Sequence, residues 1–190
     1  TREQLLRVHE AGYLDDLERI VPDNGYRRID LDTLMNPKTL TAAYFAAGAA
    51  VMGVDLVLRG QVKNAFCSVR PPGHHATTDT AMGFCFFNNV AVATRVLRQR
   101  YSLERVLIVD WDLHHGNGTQ EIFEASPDVL FVSSHQIPLY PGTGYPEETG
   151  CGNVLNLPLA PGDGSAEFRA AWSKHGLPAV KRFRPDLIVV

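Results

Sequence analysis

Residues 105–116 read Arg-Val-Leu-Ile-Val-Asp-Trp-Asp-Leu-His-His-Gly. The first half, Arg105–Asp110, is a continuous apolar run of the kind buried on both faces of a parallel sheet. The second half turns polar at the carboxyl end of that predicted strand. Upstream, Asn88–Tyr101 reads as a helix, and the Ala-rich stretch Thr41 to Arg59 predicts another that stops at Gly60. Downstream, residues 119–125 form a short helical pattern, Val129–Ser134 a second buried strand, and 166–182 a last helix leading into Asp186–Val190, a terminal strand. Residues 2–20 have helical spacing (Leu5, Leu6, Val8, Leu14, Leu17), 21–38 are turn-rich, Asn64–Val69 is strand-like, and 136–165 predict a long irregular segment rich in Pro and Gly. Buried strands alternating with helices give an α/β fold: a mainly parallel sheet flanked by helices on both faces, in one domain over residues 1–190. In such sheets ligands sit at the carboxyl ends of the strands.

The chemistry-bearing residues are expected at those ends. Five of the seven histidines lie between positions 74 and 135. His74-His75 follow the Asn64–Val69 run; Asp110, Asp112, His114 and His115 end the Arg105–Asp110 strand; His135 ends the next. If residues 110–114 stay extended, side chains 110, 112 and 114 share one face while Trp111 and Leu113 pack on the other. Two carboxylates and an imidazole crowded together repel or desolvate one another unless a cation joins them. Hydrolytic zinc takes three protein ligands and leaves one position for water; Asp112 and His114 supply two. His74-His75 offer acid–base groups titrating near neutrality, held after the stiff Arg70-Pro71-Pro72-Gly73 turn, with Asp110 and Asn117 as the groups able to set their tautomers. A lone strand-end histidine is more often structural than a ligand; the combination carries the reading. Met35, Met52 and Met82 read as core filler, and Cys67 and Cys85 as buried thiols.

Composition narrows the class. The chain has 190 residues, 18 basic and 21 acidic side chains, and a net charge of −3. That balance disfavours a nucleic-acid surface. No apolar run approaches the roughly 18 residues of a membrane span. Three cysteines without a CxxC pair indicate neither a disulfide framework nor a thiolate zinc site, and the expectation is a cytoplasmic protein.

Four motifs then occur in a characteristic order: Arg70-Pro71-Pro72-Gly73-His74-His75-Ala76, Gly83-Phe84-Cys85-Phe86-Phe87-Asn88-Asn89, Asp110-Trp111-Asp112-Leu113-His114-His115-Gly116-Asn117-Gly118-Thr119, and Tyr140-Pro141-Gly142-Thr143-Gly144. Together they closely resemble the histone deacetylase family of the arginase–deacetylase superfamily, from about residue 2 to residue 190. The Asn117-Gly118-Thr119-Gln120 ending looks like the class II branch and its bacterial relatives, which include acetylpolyamine amidohydrolases. The resemblance implies a zinc-dependent amidohydrolase that removes acetyl groups from lysine side chains or polyamines. Asp112 and His114 resemble two of the three zinc ligands, His75 the general base and acid, and His74 its electrostatic partner, hydrogen-bonded to Asp110. Asn117 matches a neutral group that orients His75. Gly83, Phe84 and Tyr140 match a narrow acyl-lysine channel. Asp110, Asp112, His114, Ser133 and Ser134 match a structural potassium site, and Arg70 a residue holding the turn beneath the centre.

In the family the third zinc ligand, an Asp, and the Tyr (or His) that donates to the oxyanion lie beyond the strand matching Leu187–Val190. The chain as given is therefore expected to be a piece of a longer protein, to hold zinc weakly and to be nearly inactive. Its incomplete sheet is expected to aggregate or to pack against other chains, a homo-oligomer being one form. Two alternatives stand beside the deacetylase: a silent binding or scaffolding module on the same fold, and a binuclear manganese hydrolase of the arginase type.

Overall fold

Thr1 opens the chain as a helix cap: its hydroxyl accepts the Gln4 N–H, and the Gln4 side chain reaches back to the Thr1 backbone. The computed structural model describes residues 1–190, which divide into two compact units, Thr1–Ser102 and Leu103–Val190. In the first unit α1 spans Arg2–Leu5 and α2 Ala11–Arg19. The helical span expected over 2–20 is thus broken, because the Glu10 N–H leaves the helical ladder and bonds the Thr78 carbonyl at 3.0 Å. Within the turn-rich 21–38 stretch, β1 (Arg27–Arg28) and β2 (Leu34–Met35) pair antiparallel. The turn between them is held by Asp30, whose Oδ1 accepts the N–H groups of Asp32 and Thr33 at 2.8 and 2.5 Å.

Helix α3, Thr39–Leu58, packs along α4, Asn89–Tyr101. Their ends are tied by Asp55, which pairs with Arg59 and Arg100 at 2.8 Å each and accepts the Tyr101 hydroxyl at 2.7 Å. Contrary to the expectation that no apolar run approaches a membrane span, α3 is long and apolar enough by length and composition. One such helix is weak evidence, since a core helix passes the same test. The strand expected at Asn64–Val69 does not form. That run finds no neighbouring strand, and Phe66 stands 92% exposed. Cys67 is exposed rather than buried, and Met52 is exposed while Met35 fills the core.

The second unit contains β3 (Val106–Asp110), α5 (Asn117–Phe123), β4 (Val129–Gln136), β5 (Val154–Leu159), α6 (Ser165–Ala171), a π-helical turn at Trp172–Gly176, α7 (Leu177–Phe183) and β6 (Leu187–Val189). The four strands form one parallel sheet in the order β5-β4-β3-β6. Strand β5 lies inside the segment expected to be irregular. On one face Leu107, Val109, Leu130, Val132 and Leu157 form a core covered by Trp172, Val180 and Phe183 of the α6–α7 run. The alternate residues Val106, Ile108 and Phe131 are buried as well, so the central strands are enclosed on both faces. Asp186 fastens β6 beside β3: its carboxylate accepts the Arg105 N–H at 2.9 Å, and its own N–H bonds the Arg105 carbonyl at 2.9 Å. This is the α/β architecture that the sequence implies.

Candidate active site

In the first unit, His74 and His75 sit in the irregular segment before α4, and do not follow a strand. His75 is buried at 4% exposure, His74 is half-buried, and their ring centroids lie 4.0 Å apart. Next to them Met82-Gly83-Phe84-Cys85 makes a tight turn with reciprocal backbone bonds between Met82 and Cys85 at 3.1 and 2.9 Å. Both central residues have positive φ, +56° at Gly83 and +68° at Phe84, the pattern of a type I′ turn. A bulky aromatic residue is an outlier in the left-handed region. Phe84 is kept there by its N–H bond to the Thr33 hydroxyl at 3.0 Å, and its ring stands 54% exposed. Gly83 lies flush on the His75 imidazole, so that a Cβ there would collide with the ring. Gly83→Ala is therefore expected to lose about 1–3 kcal/mol of stability from positive-φ strain and ring displacement. Gly12→Ala, which meets nothing in its helix, should be neutral or slightly stabilising. Urea unfolding of the two variants checks the contrast; equal midpoints would disprove the contact.

The segment is anchored from below by residues that the motifs did not single out. His9 Nε2 accepts the Asn88 N–H at 3.0 Å, and the Tyr13 hydroxyl donates to the Phe86 carbonyl at 2.6 Å. The Asn88 side chain caps α4 through the Ala91 N–H and donates to the Ala76 carbonyl. Burial pushes His9 down to about 4, against backbone hydrogen bonding near Thr78 and Thr77 that raises it. The unfolded chain, with an ordinary histidine value near 6.5, takes up the proton first as pH falls. Stability from neutral His9 is therefore complete above about pH 6.5 and is lost towards pH 4, by about 3 kcal/mol in all. Denaturant midpoints between pH 7 and 4 should show a shallower decline in His9→Gln, whose Oε1 can still accept the Asn88 N–H. Identical slopes would refute the assignment.

In the second unit, residues 111–116 do not stay extended. The Asp110 carboxylate accepts the Asp112 N–H at 3.1 Å, and Asp112 accepts the His114 N–H at 2.8 Å, so each aspartate captures the amide two residues on and turns the chain. As a result Trp111 and Leu113 do not pack on an opposite face; they are 63% and 57% exposed. The Leu113 carbonyl accepts the Gln136 N–H at 2.9 Å, fixing the loop to the end of β4. Asp112 Oδ1 and His114 Nδ1 come 3.2 Å apart. Two ligands of one tetrahedral ion with bonds of about 2.0–2.1 Å would stand about 3.3 Å apart, so these donors suit a shared cation. Asp110 is paired in register with Ser133. Ser133 Oγ donates to His135 Nδ1 at 2.8 Å, while the buried Ser134 hydroxyl has no partner. Asn117 is the first residue of α5, and the Tyr140 ring lies edge-on to His114 with centroids 6.1 Å apart. His135 lies within β4 rather than beyond it and is buried, as is His115; their rings are 4.7 Å apart. Arg70, in the first unit, is exposed.

The second unit thus brings Asp110, Asp112, His114, Ser133 and Ser134 to the carboxyl ends of β3 and β4, as the strand-end rule requires. The first unit brings together His74, His75, Gly83 and Phe84. The hydrogen bonds that join His115, Gln120, Thr143, Glu148 and Asn156 escaped sequence reasoning: the sequence marks His115 only as a strand-end histidine, Gln120 and Thr143 only as parts of motifs, and Glu148 and Asn156 not at all.

Comparison with known proteins fits this picture. The family profile described as "Histone deacetylase domain" matches residues 1–190. A "Histone deacetylase-like amidohydrolase" of Pseudomonas aeruginosa is 45% identical over 99% of this chain and 50% of its own length. A "Probable deacetylase" of Archaeoglobus fulgidus is 42% identical over 99% of this chain and 53% of its own. The crystal structure of the HDA15 HD domain superposes with a TM-score of 0.89 at 38% identity, covering 99% of this chain and 56% of that one. The chain spans about half the length of the curated relatives it matches. By the match of its entire length, it belongs to the histone deacetylase family.

Proposed function

We propose that the protein is a zinc-dependent amidohydrolase that cleaves an acetyl or related acyl amide on a lysine side chain or polyamine, releasing acetate and the free amine. The observation that carries the reading is the Asp112–His114 pair: an oxygen and a nitrogen donor of the types zinc takes, 3.2 Å apart, preset by the backbone of their own loop. Bound there, zinc would polarise the acyl carbonyl and lower the pKa of a water.

The chain's own residues supply the proton transfer and the substrate contacts. His75 takes a proton from the attacking water and returns it to the leaving amine. The His74 and His75 rings stand 4.0 Å apart and tilted by 44°, so each limits how the other can turn. Phe84 and Tyr140 supply exposed aromatic surface for the acylated chain, and Gly83 leaves room beside the base. The oxygen-rich set of Asp110, Asp112, His114, Ser133 and Ser134 would hold potassium, for which the partnerless, buried Ser134 hydroxyl is a suitable oxygen.

The test is zinc content together with turnover of an acetyl-lysine peptide and an acetylated polyamine, run on this chain and on one extended past Val190. The extended protein should carry about one zinc per chain and release acetate. An extended protein that stays metal-free and inert with zinc supplied would overturn the reading in favour of a binding module.

A further inference from the structure

A buried hydrogen-bond relay ties the Tyr140–Gly144 loop to the loop that carries Asp112 and His114. It starts at His115, whose Nε2 donates to Gln120 Oε1 at 2.9 Å and whose Nδ1 accepts the Thr143 hydroxyl at 2.8 Å. The same Gln120 oxygen accepts Asn156 Nδ2 at 2.8 Å, and Gln120 Nε2 donates to Glu148 Oε2 at 2.6 Å. Glu148 in turn accepts the N–H groups of Gly144, at 3.0 and 3.1 Å, and of Tyr145, at 3.0 Å. From the other side His135 Nε2 donates to the Gly144 carbonyl at 2.9 Å. Gly144, at φ +89°, is pressed so closely on His115 and His135 that a Cβ would strike both rings. Gln120, His115, His135 and Asn156 are all nearly inaccessible, so water does not compete for these bonds. Burial alone would raise the Glu148 carboxyl, but the Tyr145 N–H, the Gln120 amide and the Gly144 N–H hold it below the usual glutamate value, keeping it an acceptor.

We infer that Gln120 and Glu148 are positioning residues: as a matched amide–carboxylate pair they clamp residues 143–145 and thereby fix Tyr140 in place for the acylated substrate. This rests on the amidohydrolase reading. The polarity of the pair makes it testable. In Glu148→Gln one carboxylate oxygen becomes an NH₂, which must face either the Gln120 NH₂ or a backbone N–H, donor against donor. In Gln120→Glu two carboxylates meet at the 2.6 Å contact. In the double swap Gln120→Glu/Glu148→Gln, every bond finds a donor and an acceptor again except the longer of the two Gly144 N–H contacts, at 3.1 Å. The carboxylate then at position 120 accepts from His115 and Asn156. The amide then at position 148 donates its NH₂ to that carboxylate, while its oxygen accepts from the loop.

In the protein extended past Val190, each single variant should raise KM for an acetyl-lysine peptide tenfold or more while kcat changes by less than about threefold. The double swap should return KM to within about threefold of the original. Amide exchange at Gly144 and Tyr145 should quicken in the singles and slow again in the swap. That readout needs no catalysis, so failure of the clamp and failure of the amidohydrolase reading give different patterns. If the singles lower the melting temperature but leave KM and these two amides unchanged, or if the swap rescues neither, the inference is wrong. Should a single variant not fold, Thr143→Val removes just one hydroxyl contact, and the same rise in KM and in exchange is required of it.

Discussion

Replacing Asp112 by Ala is expected to abolish both zinc retention and amide hydrolysis in the protein extended past Val190. Asp112 Oδ1 accepts the His114 N–H at 2.8 Å and faces His114 Nδ1 at 3.2 Å, so one oxygen shapes the loop and presents the second donor. Alanine removes a ligand and also releases the turn that aims His114. Asp112→Asn separates the two roles, because its Oδ1 still accepts the amide while the negative charge is gone. Several kcal/mol of charge stabilisation lost with a bound metal correspond to a fall of at least about 10³ in kcat/KM. Asn should fall nearly as far as Ala in activity, yet retain the wild-type far-UV circular dichroism and denaturant midpoint. Elemental analysis after dialysis, paired with steady-state kinetics, checks both. A fully loaded Asp112→Ala protein that turns over within tenfold of wild type would remove Asp112 from the metal set.

The sequence told most where burial decides, and least where partners are remote. Val106–Asp110 and Val129–Gln136 are legible as strands because buried positions on both faces demand unbroken apolar runs. Val154–Leu159 was hidden because an edge strand needs no such run: it pairs with β4 alone and carries Pro158, which lacks a backbone donor. Asn64–Val69 shows the converse, an apolar run with no strand beside it. The residue types of the Asp110–His114 loop were visible, but not its shape. Alternation argues for an extended segment, whereas Asp110 and Asp112 each capture an amide two residues on and bend it. The Gln120–Glu148 contact joins residues 28 positions apart, and no local pattern announces such a pair. Its one trace in the sequence is Gly144, a glycine next to a threonine where two imidazoles leave no space for a side chain.

At His75 the second large effect is expected, and its signature differs from that of Asp112. His75 is buried, its ring centroid 4.0 Å from that of His74, and backed by Gly83, so its ring has little freedom to reorient. A base held this way contributes through position as well as protonation state, and general acid–base catalysis of this kind is worth about 10²–10⁴ in rate. His75→Gln keeps the bulk beside Gly83 but can neither accept nor return a proton. It should lower kcat by that factor, with zinc content and melting temperature close to wild type. His75→Ala should lose the same rate and some stability besides, because it empties a packed position. The order of effects is therefore fixed in advance: Asp112 variants lose metal and rate together, whereas His75 variants lose rate with metal retained. If His75→Gln holds its zinc and its kcat falls less than tenfold, proton transfer does not run through His75. The base then has to be sought elsewhere, with His74 as the first group to replace.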